Sequence, residues 1–187
     1  MRSFFIKNFP KSGTARSAFS IIELLITLAL VAIVVTFTIP RTTFVARFLV
    51  QAEINKLYAV FSYLQQWAIA GNELQELSFD LKNNTYQFKT FQGGTTTQKL
   101  PKSVRFGFLP GVKGPPSNPG KPIEIAATFP IQTDRPIVNF MTNGKITPGT
   151  VYVVDGGGRC LGALTCPISQ VSYIRRYTYD KQQWKTW

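Results

Sequence analysis

The sequence contains no histidine, only two cysteines, and nine acidic residues against 21 basic ones in a chain of 187. Without histidine, the most common general acid–base side chain is missing, and neither a close carboxylate pair nor a serine or cysteine beside a base replaces it. Two thiolates cannot complete a four-ligand zinc site. The aspartates are too scattered to predict a calcium site. We therefore expect no enzyme, no cofactor and no bound metal.

Basic residues are concentrated at the N-terminus. Four of them lie within residues 1–18, where there is no acidic residue. The formal net charge of the chain is +12, and without these four residues 17 basic and nine acidic side chains remain, a net charge of +8. Such a surface favours anionic partners, which include lipid headgroups, nucleic acid and acidic protein faces.

A long apolar segment, residues 19–39, follows this basic leader, and its only charged residue is Glu23. As a helix it would be about 31 Å long, which is enough to cross a bilayer. A secretory signal has a shorter apolar region with small residues at a cleavage site behind it, whereas PRTT follows here. We therefore expect the segment to be retained as a transmembrane helix.

The charge bias predicts the orientation of this helix, because basic residues before a span hold the N-terminus in the cytoplasm. The remainder of the chain is then extracytoplasmic. Cys160 and Cys166 enclose the sequence LGALT. In an oxidising compartment this spacing favours a disulfide that closes a small loop, and two thiols that stay reduced are the alternative.

Glu23 is the unusual residue of the apolar segment. A carboxylate within a membrane-inserted helix costs roughly 2.5–3.5 kcal/mol near the bilayer centre and less towards the interface. One explanation is a carboxylate at headgroup level that has no role. The other is that a cation pairs with it, which would offset the cost.

Residues 18–25, AFSIIELL, resemble the prepilin peptidase site of type IV pilins and of the pseudopilins of type II secretion. The resemblance implies that the leader is removed by cleavage between Ala18 and Phe19 and that the new N-terminus is methylated. Glu23 then becomes the fifth residue and Pro40 the twenty-second, where many members carry a helix-bending proline. The sequence departs from the family at Ala18, since the residue before the cut is usually glycine.

The resemblance also implies a role for Glu23, which is to pair with the N-terminal amine of a neighbouring subunit. The implied partners are other pilins or pseudopilins, the prepilin peptidase, an inner-membrane assembly platform, and the lipid bilayer before assembly. The implied location is the bacterial inner membrane, with the N-terminus in the cytoplasm and the head in the periplasm, and a periplasmic filament after assembly.

The remaining pattern predicts an α+β fold. Apolar residues recur at helical intervals from Phe44 through Phe48 to Ala68, and Gly71-Asn72 is a typical stop. We therefore predict a transmembrane or filament-core helix over residues 19–40 that bends at Pro40, and its amphipathic continuation over residues 41–71. Residues 72–187 alternate short β-prone runs with turns, which predicts an extracytoplasmic, antiparallel β-sheet head packed against the helix. The Pro- and Gly-rich segment 110–122 is expected to be an exposed loop.

The C-terminal part resembles the closing hairpin of the minor pseudopilin H and fimbrial T group, with a nonpolar strand at 151–154, a glycine turn, and the strand SYIRRYTYD. The resemblance implies a structural subunit, a minor pilin or pseudopilin, of a type II secretion pseudopilus or a type IV pilus. The sequence DGGG at 155–158 lacks the lysine of a phosphate-binding loop, so we interpret it as a turn.

Two alternatives remain open. A pilus-associated minor pilin could bind DNA during uptake through Arg159, Arg175 and Arg176, because basic and aromatic residues alternate along the last strand. A solvated edge strand protected by charge is the simpler explanation of these residues. The other alternative is a single-pass membrane protein with an unrelated receptor-like head.

Overall fold

The computed structural model describes residues 20–38, 42–168, 173–180 and 182–186. The chain falls into two units, Met1–Pro40 and Arg41–Trp187. In the first unit, the described residues form helix α1, Ile21–Thr38. Within the described part of the chain, no helix combines the length and the hydrophobicity that a membrane crossing requires. Pro40 lies outside the described residues, so the bend there stays a prediction.

The second unit begins with helix α2, Thr42–Ala70. The helix ends where Gly71-Asn72 predicted a stop: the N–H of Gly71 donates to the carbonyl of Trp67 at 2.8 Å, and Asn72 has a φ of 48°. Asparagine tolerates this left-handed conformation, which ends many helices. Ten strands follow in the described part of the unit: β1 Gln75–Asp80, β2 Thr85–Lys89, β3 Thr95–Lys99, β4 Val104–Phe106, β5 Ile131–Gln132, β6 Arg135–Phe140, β7 Gly149–Asp155, β8 Leu161–Cys166, β9 Arg175–Asp180 and β10 Gln183–Thr186.

The strands form two five-stranded sheets, with the orders β3-β2-β1-β6-β5 and β10-β9-β8-β7-β4. All pairings among the described strands are antiparallel. The α+β class and the antiparallel sheets that the sequence predicted are confirmed.

One face of α2 forms the centre of the main core, with Val50, Ile54, Leu57, Phe61, Leu64 and Ala68 fully or almost fully buried. These positions repeat every three or four residues, as expected for a helix that buries one side. The predicted face began at Phe44 and Phe48, and this part of the prediction is wrong: they are 72% and 63% exposed. Gly162 on β8 lets the helix approach, because a Cβ there would lie 2.7 Å from Ile54 Cγ1.

The segment 110–122 is a mostly exposed loop, as its composition predicted, but Val112, Gly114 and Pro115 within it are buried. Both faces of β7 and β8 are buried, so other residues pack on the outer face of the second sheet. Val112 and Ile123 are among them, and they form a second apolar cluster with Tyr152, Val154, Leu161, Ala163 and Tyr177. The indole N–H of Trp184 donates to the carbonyl of Lys113 at 2.9 Å and fastens the segment to β10.

The structure contradicts the predicted disulfide, since no bridge joins Cys160 and Cys166. Cys160 directly precedes β8 and Cys166 ends it. At about 3.3 Å per residue the strand places their Cα atoms about 20 Å apart, whereas a disulfide requires roughly 4.4–6.8 Å. Burial raises the pKa of the Cys166 thiol to about 12, and burial followed by the charge of Asp155 raises the pKa of Cys160.

Candidate assembly site and predicted basic contacts

Glu23 lies in the first turn of α1. The helix begins directly after Ser20, whose carbonyl accepts hydrogen bonds from the N–H groups of Glu23 at 3.0 Å and Leu24 at 3.1 Å. The Ser20 hydroxyl accepts a longer bond from the N–H of Ile22 at 3.4 Å. Serine is a preferred N-cap, and a carboxylate in the first turn interacts favourably with the helix dipole. Ser20 therefore fixes the position of Glu23 along the helix.

Apolar side chains surround α1 on every side. Five apolar residues within positions 21–26, which span more than a full turn, are more than half exposed within the unit: Ile21, Ile22, Leu24, Leu25 and Ile26. The same holds further along the helix for Leu28, Leu30, Val31, Ile33 and Val34. A helix that is apolar all round belongs in lipid or among other helices rather than in water.

Two hydroxyl groups of α1 have partners within the helix, whereas none of the described residues bonds to its carboxylate. Thr27 Oγ1 donates to the carbonyl of Leu24 at 2.9 Å, and Thr36 Oγ1 donates to that of Ala32 at 2.7 Å. Glu23 is the only charged residue between positions 20 and 38. Among the described residues, none forms an ion pair with it.

The predicted cleavage site lies outside the described residues, because these begin at residue 20. Cleavage between Ala18 and Phe19 and methylation of Phe19 therefore remain predictions.

The DGGG segment forms the turn between β7 and β8, as the sequence predicted. The buried carboxylate of Asp155 accepts bonds from the backbone N–H groups of Arg159 at 2.6 Å, Cys160 at 2.7 Å and Gly157 at 3.2 Å. Burial alone would raise the pKa of Asp155, but these hydrogen bonds and the nearby guanidinium of Arg159 lower it overall. The amide groups that could have held a phosphate are thus occupied by the protein's own carboxylate.

The three arginines proposed for DNA contact each have a partner within the chain. Arg159 Nε lies 3.5 Å from Asp155 Oδ2. Arg176 Nη1 donates to Asn55 Oδ1 on α2 at 2.7 Å, and its guanidinium lies 4.3 Å from the centre of the Tyr58 ring. Arg176 therefore fastens β9 to the helix.

Arg175 lies on the other side of β9. Its guanidinium is 4.6 Å from the ring centre of Tyr173, and a hydrogen bond with Tyr177 raises its pKa. Tyr177 is almost fully buried, and it packs with Tyr179 against Trp184 at ring-centre distances of 6.3 Å and 5.2 Å. Tyr177 is therefore a core residue, whereas Tyr179 is only half-buried.

The sequence interpretation found Glu23 but missed Ser20. The signal was present, because Ser20 and Glu23 form an S-x-x-E pattern directly before an apolar run, which is typical of a helix N-terminus.

Comparisons with known proteins give few matches. No family model and no curated protein matches the chain. Two solved structures of the minor pseudopilin EpsH from the type II secretion system of Vibrio cholerae are similar to it. The first is 12% identical with a TM-score of 0.39 and covers 74% of this chain and 95% of its own. The second is 15% identical with a TM-score of 0.37 and covers 75% and 94%. The likeness to both structures is distant.

Proposed function

We propose that this protein is a minor pilin or pseudopilin, a structural subunit of a type II secretion pseudopilus or a type IV pilus. The observation that carries the proposal is Glu23, a lone carboxylate in the first turn of a helix that is apolar on all sides. Such a helix requires an apolar environment, and a charge in that environment costs several kcal/mol unless it is paired. A filament built from these helices meets both requirements.

The cation that pairs with Glu23 is the N-terminal amine of a neighbouring subunit. Cleavage between Ala18 and Phe19 creates this amine at the same end of the helix as the carboxylate. Methylation leaves the amine positively charged. Ser20 caps α1 and so fixes the position of Glu23 in its first turn. The ion pair then sets the axial stagger between adjacent subunits.

Before assembly, the apolar segment 19–39 anchors the chain in the inner membrane, with the basic leader in the cytoplasm and the unit from residue 41 onwards in the periplasm. The prepilin peptidase removes the leader, and an assembly platform extracts the subunit into a periplasmic filament. Its partners are other pilins or pseudopilins.

The geometry gives the DNA-uptake alternative less support. Arg159 contacts Asp155 and Arg176 contacts Asn55, and Tyr177, an aromatic residue of the strand that was expected to stack bases, is almost fully buried. Stacking on exposed aromatic residues contributes much of the affinity for single strands.

Mass spectrometry of the N-terminus tests the proposal. The protein is purified from the membranes of a host that carries a prepilin peptidase, and from a host without the peptidase as a control. We expect a chain that starts at N-methylated Phe19 in the first host and at Met1 in the second. An intact Met1 start in both hosts, or a cut beyond residue 39, would instead support a receptor-like single-pass protein.

A further inference from the structure

Four basic side chains without a carboxylate partner lie at the seam between the two sheets: Lys82, Lys99, Lys102 and Arg105. All four are exposed. None of the ion pairs in the described part of the chain includes them. We name these residues the seam cluster.

Asn84 holds the seam cluster together. Its carbonyl accepts a bond from the N–H of Leu100 at 2.9 Å, and its Oδ1 accepts one from the N–H of Phe106 at 2.8 Å. Each member of the cluster is within two residues of one of these three bonded residues, so the four cations lie on adjoining segments of the chain. At low salt, where the Debye length is roughly 30 Å, their potentials add.

The nearest carboxylates do not neutralise this potential. Asp80 accepts two bonds from Asn83 and pairs with Arg135 at 3.2 Å. Asp155 is buried in its own turn, where it pairs with Arg159. The seam cluster is therefore an exposed positive patch that attracts anions.

The patch lies beside the open edge of β3, whereas the neighbouring edge of β4 is occupied in part, because the N–H of Phe106 donates to Asn84 Oδ1. β3 is the edge of the first sheet and β4 the edge of the second, and residues 100–103 join them directly. Edge strands are commonly protected by proline, bulges or charged side chains. β3, with the sequence TTTQK, has only Lys99 at its end and pairs with β2 along its whole length. Its outer edge is thus available for another strand.

The hydrogen bonds that flank β3 show which of its backbone groups face outwards. At one end the N–H of Leu100 donates to the carbonyl of Asn84 at 2.9 Å, and at the other the N–H of Thr90 donates to the carbonyl of Gly94 at 2.8 Å. Because bonded positions alternate along an antiparallel pair, the even-numbered residues of β3 bond to β2. The odd-numbered residues direct their N–H and C=O groups to the open edge: Thr95, Thr97 and Lys99.

We propose that this edge and the seam cluster bind an acidic, extended segment of another protein by strand addition. The unpaired backbone groups of β3 recognise an extended chain, and the cations select glutamate and aspartate side chains on it. The aromatic residues next to the cluster, Tyr86 and Phe106, are buried, so the patch offers no base-stacking surface for a single-stranded nucleic acid. This binding is a property of the isolated chain and does not depend on filament assembly.

The test uses the full-length chain in a non-ionic detergent. The probe is a fluorescent peptide of about eight residues that alternates glutamate and valine, and binding is followed by fluorescence anisotropy at low salt. We expect saturable binding. Thr97→Pro should weaken it about tenfold, since proline removes an outward N–H that β2 does not use. The matched control Thr97→Val keeps that N–H and should bind like the parent.

A second pair of variants tests the charges. The triple variant Lys99→Gln, Lys102→Gln, Arg105→Gln should bind the peptide about tenfold more weakly. The control triple, Lys113→Gln, Lys121→Gln, Lys145→Gln, removes the same charge from exposed positions outside the seam and should bind normally. If circular dichroism shows that the seam triple does not fold, the comparison of Thr97→Pro with Thr97→Val tests the proposal instead.

Several results would overturn the proposal. These are the absence of peptide binding at low salt, equal binding of a peptide in which proline replaces every valine, and equal losses in the two triple variants. Binding of a short DNA duplex more tightly than the peptide, with loss in the seam triple, would show a phosphate-binding surface instead.

Discussion

The carboxylate of Asp155 accepts a hydrogen bond from the backbone N–H of Cys160 at 2.7 Å, at the turn where the sequence had predicted a cysteine in a disulfide. A buried aspartate that accepts hydrogen bonds from three backbone N–H groups thus stabilises this turn, without a covalent bridge.

We expect Asp155→Asn to destabilise the protein by about 1–3 kcal/mol at neutral pH, because the variant loses charged hydrogen bonds in a buried turn. The folded-state pKa of Asp155 lies below its ordinary value of 3.8. The contribution of the Asp155 carboxylate to the free energy of unfolding is therefore fully present above that ordinary value, and it is lost as the pH falls through the folded-state pKa. Urea unfolding of both proteins at neutral and acidic pH measures the difference. A difference that does not shrink in acid would contradict this account of the turn.

The two cysteines should be reduced thiols in the folded protein. Alkylation after denaturation without a reducing agent should modify both Cys160 and Cys166, and a reducing agent should leave the melting temperature unchanged. We expect this because β8 separates the two residues along its whole length. Intact mass spectrometry that finds a bridge within one chain would overturn the assignment of residues 161–166 as a strand.

Gly162→Ala should cost about 1–3 kcal/mol of stability, because the new methyl group overpacks the contact between α2 and β8. Its Cβ would lie 2.7 Å from Ile54 Cγ1 and 2.9 Å from Val50 Cγ1. Gly120→Ala is the matched control, since a Cβ at Gly120 has no heavy atom within 4 Å. Chemical unfolding compares the two variants. Equal stabilities would mean that the helix does not approach β8 this closely.

Arg176→Ala should lower stability without changing DNA affinity. The variant loses the bond to Asn55 and the contact with Tyr58 that fasten β9 to α2, and we expect a cost of about 1–2 kcal/mol. Arg175→Ala is the control, because Arg175 contacts neighbours on its own strand segment. Unfolding and duplex-binding measurements at low salt separate the two roles. A loss of DNA affinity in both variants, with unchanged stability, would favour the DNA-uptake alternative.

Local signals in the sequence were read correctly where a few adjacent residues determine the structure. Gly71-Asn72 ends α2, and the predicted DGGG turn places Gly158 in a left-handed conformation with a φ of 64°. These features depend on backbone conformation that only certain residues tolerate.

The predictions that failed depend on contacts between distant parts of the chain. The spacing of Cys160 and Cys166 suggested a loop, but β8 is an inner strand of its sheet and stays extended between β7 and β9. The composition of segment 110–122 correctly predicted a mostly exposed loop, but it did not predict that Val112 packs onto the outer face of that sheet. The bond of Arg176 to Asn55, 121 residues away, likewise could not be predicted from the local sequence. The residues of the seam cluster are likewise brought together by long-range contacts, because Asn84 accepts hydrogen bonds from Leu100, directly after β3, and from Phe106 in β4.

Replacement of Glu23 tests the central claim most directly. In Glu23→Gln the carboxylate is lost at nearly constant size, so its ion pair with a neighbouring N-terminus cannot form. Thr27→Val is the matched control, because the Thr27 hydroxyl bonds only to Leu24 within the same helix. Both variants should be cleaved before Phe19 and retained in the membrane. We predict that the amount of Glu23→Gln protein in the purified filament fraction falls at least about tenfold, as expected for the loss of a buried ion pair, while Thr27→Val assembles normally. Incorporation of Glu23→Gln at the level of the parent would contradict the account.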